Sequence, residues 1–501
     1  MIFGLFRAVF LGGNLGQTQK WYSISAGVGR KSIEPKVGLR LCGSLRDEFS
    51  TAVHNQLLTS ALVFEAKGEH VVIVAIDAII FSLDEAATIR SAVADAVGLG
   101  IDRVFLNLSH THAVPAPPSF NEFDPEDGDQ LSANLEYFDF VVEQTAAAAR
   151  EARANLQPAS LAMNEGEVQI GVNRREVLPD GTLALGENPN GPRDDRVGVV
   201  RVETLDGETI ATVVHYSCHP DILGPKSTLV SPDFIGPMRT FVENNVGGFA
   251  MFIQGCCADV DPVVGIVVGD DGERETDRLG SLLGAEVVKT LLRIGDRRVR
   301  DHREYWKSQN STVTGWAYEA AELEEATIAV SNSSINLPLR KLPSLEECRE
   351  YQQQAEKNWS AAKGDLSLAL SDRLVARRRA LWANIQLEAA NSGRDLRVDL
   401  PLQAIRIGPF ALIGIPAEVF VEIGKQIEDR VRKLAESTGC RPFTSGYTNG
   451  VYFYVPTAKS FPAGGYEVDS HRNYLKPSGP TTEWEPLLVE AGASLLESTL
   501  G

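Results

Sequence analysis

The chain has 501 residues, 43% of them hydrophobic, and a net charge of −19 from 67 acids against 48 bases. That length allows about two to four domains and a large core, and the composition excludes wholesale disorder. The acidic balance argues against nucleic acid and anionic membrane surfaces as partners.

The N-terminal stretch Met1–Gly13 is apolar but interrupted by Arg7, and it is far short of a membrane span. It has no clear basic start or small-residue cleavage site, so it does not read as a secretory signal. Residues 1–23 are expected to form a disordered leader, and residues 24–501 the working domain. No other run of about 18 apolar residues occurs, so no integral membrane segment is expected. The six cysteines, Cys42, Cys218, Cys256, Cys257, Cys348 and Cys440, form no CxxC pair. Their scatter implies no disulfide framework and a reducing compartment. A cytoplasmic location is expected, with secretion left open.

Ile24–Gly43 is Gly-rich and reads as loop. Ser60–Ala66 and His70–Phe81 are apolar runs joined by Lys67-Gly68-Glu69, which predicts a hairpin. Asp77 interrupts the second run, where an acid is costly unless it is paired. Leu83–Val97 has helical spacing, and Val104–Leu108 is a short apolar strand ending in Ser109-His110-Thr111-His112 and a Pro-rich loop. Residues i and i+2 of a strand point the same way, so His110 and His112 are expected to face one space. Two adjacent imidazoles are comfortable when at least one is neutral and binds a metal; a pair of polar loop histidines is the plain alternative.

Farther on, Leu131–Arg153 reads as a helix, Leu161–Val172 as a strand and Pro179–Asp195 as a polar loop. Val197–Val202 and Thr209–His215 read as a hairpin around Leu205-Asp206-Gly207. His215–Pro225 follows, then a strand Phe249–Ile253 entering Gln254–Pro262, and a helix Glu273–Leu292. Residues 344–393 change texture and predict a helical hairpin insert broken near Lys363-Gly364-Asp365, either a cap or a dimer contact, so homo-oligomerisation stays open. Phe410–Pro416 is a strand leading to Ala417-Glu418 and a helix to about Glu436. A polar stretch, Gly446–Val468, and a helix, Trp484–Ser498, close the chain. The alternation predicts an α/β (α+β layered) fold with mixed sheets flanked by helices. No internal repeat is visible.

Four places share one design, an apolar strand with a polar or ionisable group at its mouth: His110/His112, His219, Asp259/Asp261 and Glu418. Two His and one Glu match a catalytic zinc set, although the spacing is long-range and no HExxH is present. His215 competes with His219 for the second imidazole.

These motifs resemble the neutral (non-lysosomal) ceramidases and their bacterial relatives, zinc-dependent amidases that split the N-acyl bond of ceramide. The likeness runs from about Ser25 to about Leu495. It implies His110, His219, Glu418 and Tyr454 as Zn2+ ligands, with His112 beside the reacting centre. It also implies that Arg174, of the Asn173-Arg174 pair, and Tyr466, twelve residues after Tyr454, contact substrate. Asp77 and Asp259 read either as groups orienting the ligands or as caps.

Two departures follow. Ceramidases carry Gly-Asp-Val-Ser-Pro, whose serine is required for amide cleavage; this chain has Ala258-Asp259-Val260-Asp261-Pro262, and a carboxylate at Asp261 is an acceptor or base. The family's C-terminal β-sandwich, part of how those enzymes meet lipid, has no counterpart before residue 501. A smaller or more polar substrate than membrane ceramide is therefore expected. The function expected is a zinc-dependent amidohydrolase using a metal-activated water, with His112 and Asp261 as candidate proton acceptors. The alternatives are the same site acting on a glycoside or ester, which paired carboxyls would suit, and a zinc-containing binding protein without turnover.

Overall fold

A computed structural model describes residues 19–501 apart from 44–45, 121–127, 270 and 366. The expected leader therefore lies largely outside the described residues. Two sheets stack face to face, with helices on both outer sides. The larger sheet is nine-stranded and mixed. Its path runs Phe249–Gln254, Thr209–Tyr216, Arg196–Thr204, Gln157–Glu167, Trp21–Ser32, Leu58–Ala66, Glu69–Ile76, Val104–Leu108, with Leu323–Glu325 beside Trp21–Ser32. The smaller sheet orders Ile328–Pro338, Arg397–Ile407, Phe410–Gly414 and Arg441–Ser445.

The period of two along a strand assigns side chains to layers. Ala61 and Val63 face the helices Leu83–Val97 and Gly128–Ala154, whereas Leu62 and Phe64 face the smaller sheet, meeting Ile405, Phe410 and Phe443. On the other half of the same sheet, Val197, Val199 and Val214 pack under the helices Ile235–Val246 and Asp271–Ile294. The outer face of the smaller sheet is covered by Val421–Ser437 and Trp484–Leu500. This is the layered mixed α/β architecture expected from the sequence.

Three local expectations need correction. The Gly-rich stretch after Ile24 is not loop but most of a central strand, Trp21–Ser32. Its glycines serve close approach: a Cβ on Gly27 would meet the Ala152 carbonyl oxygen at 2.2 Å, and one on Gly29 the Ala148 oxygen at 2.1 Å. The strand expected to reach Phe81 stops at Ile76, and the apolar residues beyond it are buried outside any strand, with the Ala78 and Phe81 carbonyls accepting from His110 and Val451. The single strand expected over Leu161–Val172 is two, Gln157–Glu167 and Gly171–Val177. Nothing in the pattern pointed to the hairpin Arg298–Ser308 and Ser311–Ala320, whose faces are open rather than half-buried.

The region 344–393 forms two helices, Leu345–Lys363 and Leu370–Ser392. Ser344 and Glu347 make a reciprocal capping box at the first, satisfying end N–H groups that would otherwise be orphaned. Among the described residues no helix is long and apolar enough to cross a membrane.

Gly29→Ala should push the helix Gly128–Ala154 off the sheet. The expected loss is about 3 kcal/mol of unfolding free energy, typical of overpacking against unyielding backbone, read by urea denaturation.

Candidate metal centre and its surroundings

The two edge strands of the larger sheet meet across buried amides. The Asn107 side chain accepts from Gln254 N–H at 2.7 Å and donates to the Gln254 carbonyl at 3.3 Å. The Gln254 side chain in turn donates to the carbonyls of Ser109 at 3.0 Å and Cys218 at 2.9 Å. The residue before His110 and the residue before His219 are thus held by one amide.

His110 does not continue the strand, which ends at Leu108. Its φ of 65° lies in the left-handed region, which a non-glycine residue occupies only where its surroundings enforce it. Its backbone N–H donates to Ala78 at 2.8 Å and its Nδ1 to the Ile79 carbonyl at 2.8 Å. His112 N–H donates to the Pro220 carbonyl. The two imidazoles do face one space, with Nε2 atoms 3.3 Å apart, but through this kink rather than through strand alternation.

His219 is fixed by its backbone N–H on Val260 and its Nδ1 on the Cys257 carbonyl at 2.7 Å. It joins His110 and His112 in a cluster whose candidate ligand atoms all lie within 4.8 Å of one another. His215 lies outside, with Nε2 on the Thr444 carbonyl and its ring against Phe443. Glu418 and Tyr454 are partners in a two-residue parallel ladder. Glu418 Oε2 lies 3.2 Å from His110 Nε2 and 3.6 Å from His219 Nε2.

The donor set can hold a cation. Because Nδ1 of His110 and of His219 each donates to a carbonyl, a neutral imidazole presents an Nε2 lone pair inward. The His110 lone pair then faces a carboxylate oxygen at 3.2 Å with no proton between them, and the His219 nitrogen lies 3.6 Å from the same oxygen. A proton or a metal ion resolves that conflict, and nitrogen and carboxylate ligands suit a borderline divalent ion. Burial works to raise the Glu418 carboxyl, but the His110 and His219 imidazoles outweigh it and hold it well below the usual carboxylate range. Burial, then the charges of His110 and His219, lowers His112.

Arg174 is the hub on the other side. It donates through Nε to Glu467 at 3.1 Å, through Nη1 to Asp261 at 3.1 Å and His219 Nε2 at 3.3 Å, and through Nη2 to the Tyr454 hydroxyl at 3.1 Å. Asp261 is therefore committed to an ion pair. Tyr466 stacks edge-on with Tyr454 at 5.5 Å. The residue is 43% exposed, and its hydroxyl is pushed up to about 12 by burial and then by Glu418. Asp259 accepts from Val421 N–H at 2.9 Å, at the start of the helix Val421–Ser437, and from Asn173. It caps a helix and steadies the residue before Arg174. Burial raises its carboxyl to about 7. Asp77 grips Arg239 with both oxygens, at 3.1 and 2.7 Å, and accepts from Leu58 N–H. It anchors the chain whose next residues hold His110, and contacts no imidazole of the cluster among the described residues.

Sequence reasoning missed three contributors. The Tyr447 hydroxyl donates to Glu418 Oε2 at 3.3 Å and its ring lies 4.2 Å from that of His110. Tyr474 hydroxyl donates to Glu418 Oε1. Glu467 takes Arg174 and Arg175 together. The available signal was the density of Tyr, Gly and Asn after Gly446, which has no apolar period to explain it.

No family model matches the chain. The neutral ceramidase of Pseudomonas aeruginosa is 23% identical over 436 residues, 79% of this chain and 60% of that protein. Its crystal structure superposes with a TM-score of 0.64 at 21% identity, covering 95% of this chain and 75% of the other. This chain is a distant relative of the neutral ceramidases. Neutral ceramidase A of Dictyostelium discoideum is 20% identical over 423 residues, 73% of this chain and 57% of that protein. A ceramidase structure described as complexed with C2 superposes with a TM-score of 0.65 at 18% identity, covering 95% of this chain and 75% of that one. The chain thus spans about 60% of the length of the sequence relatives it matches. It has a neutral-ceramidase-like fold and a buried histidine cluster able to bind metal.

Titrating a divalent transition metal into metal-stripped protein should raise its melting temperature, by the equivalent of about 2.7 kcal/mol at a hundredfold excess over Kd. His219→Ala should remove that dependence, as followed by differential scanning fluorimetry.

Proposed function

We propose that this chain is a zinc-dependent hydrolase, an amidohydrolase that cleaves an N-acyl C–N bond and does not act on membrane ceramide. The observation that carries the reading is the facing of two fixed imidazole lone pairs and one buried carboxylate, at 3.2 and 3.6 Å. The distant kinship with neutral ceramidases supports the reaction class. His110, His219, Glu418 and Tyr454 would hold the ion, with Tyr447 and Tyr474 orienting the carboxylate of Glu418. A bound zinc ion supplies Lewis acidity and lowers the pKa of water towards ~7.

The chain's own groups do the rest. His112, kept neutral by its surroundings, accepts a proton from the attacking water and returns it to the leaving nitrogen. Tyr466 keeps its proton at neutral pH and donates to the developing oxyanion, an interaction often worth ~3 kcal/mol per donor. Arg174 lends positive charge beside it, held in place by Asp261 and Glu467. Asp261 stands where ceramidases have serine, which argues against ceramide as substrate. Its pairing with Arg174 also engages the carboxylate that a glycoside reading would use as its second acid.

Protein purified without a histidine tag should contain about one zinc per chain, and His110→Ala should lose both the metal and the turnover of chromogenic amides. Metal analysis and an amide, ester and glycoside panel with and without chelator make the comparison. Intact folding with no bound metal would end the proposal. Asp261→Ser is expected to gain ceramide hydrolysis if that one residue sets the substrate boundary.

A further inference from the structure

A cleft of about 390 Å³ opens beside the histidine cluster, walled on one side by the helices Leu345–Lys363 and Leu370–Ser392. Two residues tie it to the reacting centre. Gly43 lies against His112, where a Cβ would come within 2.5 Å of the imidazole Cγ. Tyr466 stands between the cleft and Tyr454.

The other walls are cationic. Arg378 and Arg379 come from the second helix, and Arg472 from the turn Ser470–Arg472. The acid on the cleft, Asp469, is paired with Arg340 at 3.1 Å. No carboxylate among the described residues pairs with Arg379 or Arg472. The Arg472 guanidinium lies over Trp382 at 5.1 Å. Trp382 is itself fixed, its Nε1–H donating to the Lys476 carbonyl at 2.7 Å and its ring meeting Tyr351 at 5.4 Å. Stacking covers the flat face of the guanidinium and leaves its N–H edge for an acceptor, the geometry that favours arginine for carboxylates and phosphates. In a chain of net charge −19, such a cluster beside the reacting centre is selective for charge.

Resting on the amidohydrolase reading, we propose that the substrate carries an anionic group, a carboxylate or phosphate, which seats against Arg379 and Arg472 while its amide lies over His112. Tyr351, 39% exposed, supplies apolar surface for the remainder of the molecule. An exposed cation pair contributes through charge-assisted hydrogen bonds in a partly screened setting, so the advantage over a neutral amide should be about tenfold in kcat/KM.

The probes are N-lauroylglycine, N-lauroyl phosphoethanolamine and neutral N-lauroylglycinamide. Both anionic amides, or one of them, should exceed the glycinamide, chiefly through KM, and the advantage should shrink as ionic strength rises. Comparing the two anions identifies which the cleft takes. In the Arg379→Ala/Arg472→Ala variant the ratio should fall to near parity, and the corresponding double lysine variant should keep most of it. A preference for the glycinamide, or a ratio unmoved by the double alanine variant at unchanged melting temperature, would overturn the proposal. Calorimetry with dodecylsulfonyl-glycine and dodecylsulfonyl-glycinamide, which contain no acyl amide to cleave, separates the two readings. Charge-dependent binding without any amide turnover would remove the amidohydrolase and leave the anion cleft; turnover with charge-blind binding would remove the cleft alone.

Discussion

The site depends on the amide side chain of Gln254. Strand ends splay unless something joins them, and here the two edges of a nine-stranded sheet are brought together through Asn107 and Gln254. From that seam the Gln254 side chain reaches the carbonyl ahead of His110 and the one ahead of His219. An amide is suited to this because it offers two donors and an acceptor in a plane. Buried and fully bonded, such a network fixes one arrangement; half-bonded, it would cost more than an apolar core.

Around the seam, charge is concentrated where water is excluded. Arg174 lies between Asp261 and Glu467, and Glu418 lies among His110, His219 and two tyrosines. Buried ions are expensive to desolvate and are weak evidence of stability. Their value here is in placement. Each carboxylate immobilises a neighbour that sequence alone leaves free, and the left-handed backbone at His110 is sustained by bonds to Ala78 and Ile79. The turn at His110 is thus held by backbone bonds that do not themselves bind a ligand.

Much of the layering was legible because it follows from alternation. The strands at Val104–Leu108 and Phe249–Gln254, the helix Leu83–Val97 and the breaks after them carry clear periodic signals. What misled was glycine. In Trp21–Ser32 it marks a strand pressed by a helix, and single-sequence reasoning takes the same residues for a loop. The site was readable as a set of strand mouths, yet the reason His110 and His112 converge was not, because a kink at one residue has no period. Tyr447, Tyr474 and Glu467 were hidden for a related cause: they act through contacts with residues far away in the chain. The commitment of Asp261 to Arg174 is likewise a matter of three-dimensional proximity, and no spacing announces it.

The strand Trp21–Ser32 lies in the middle of the large sheet, flanked by Leu58–Ala66 and Gln157–Glu167. A growing chain therefore carries this strand half-paired until more than a hundred further residues have appeared, so its assembly depends on distant pairings, which form slowly. The groups of the centre span His110 to Tyr474, and the carboxylate and phenols follow the first imidazole by more than three hundred residues. A chain that stops before Glu418 carries the three imidazoles and lacks the carboxylate that faces them.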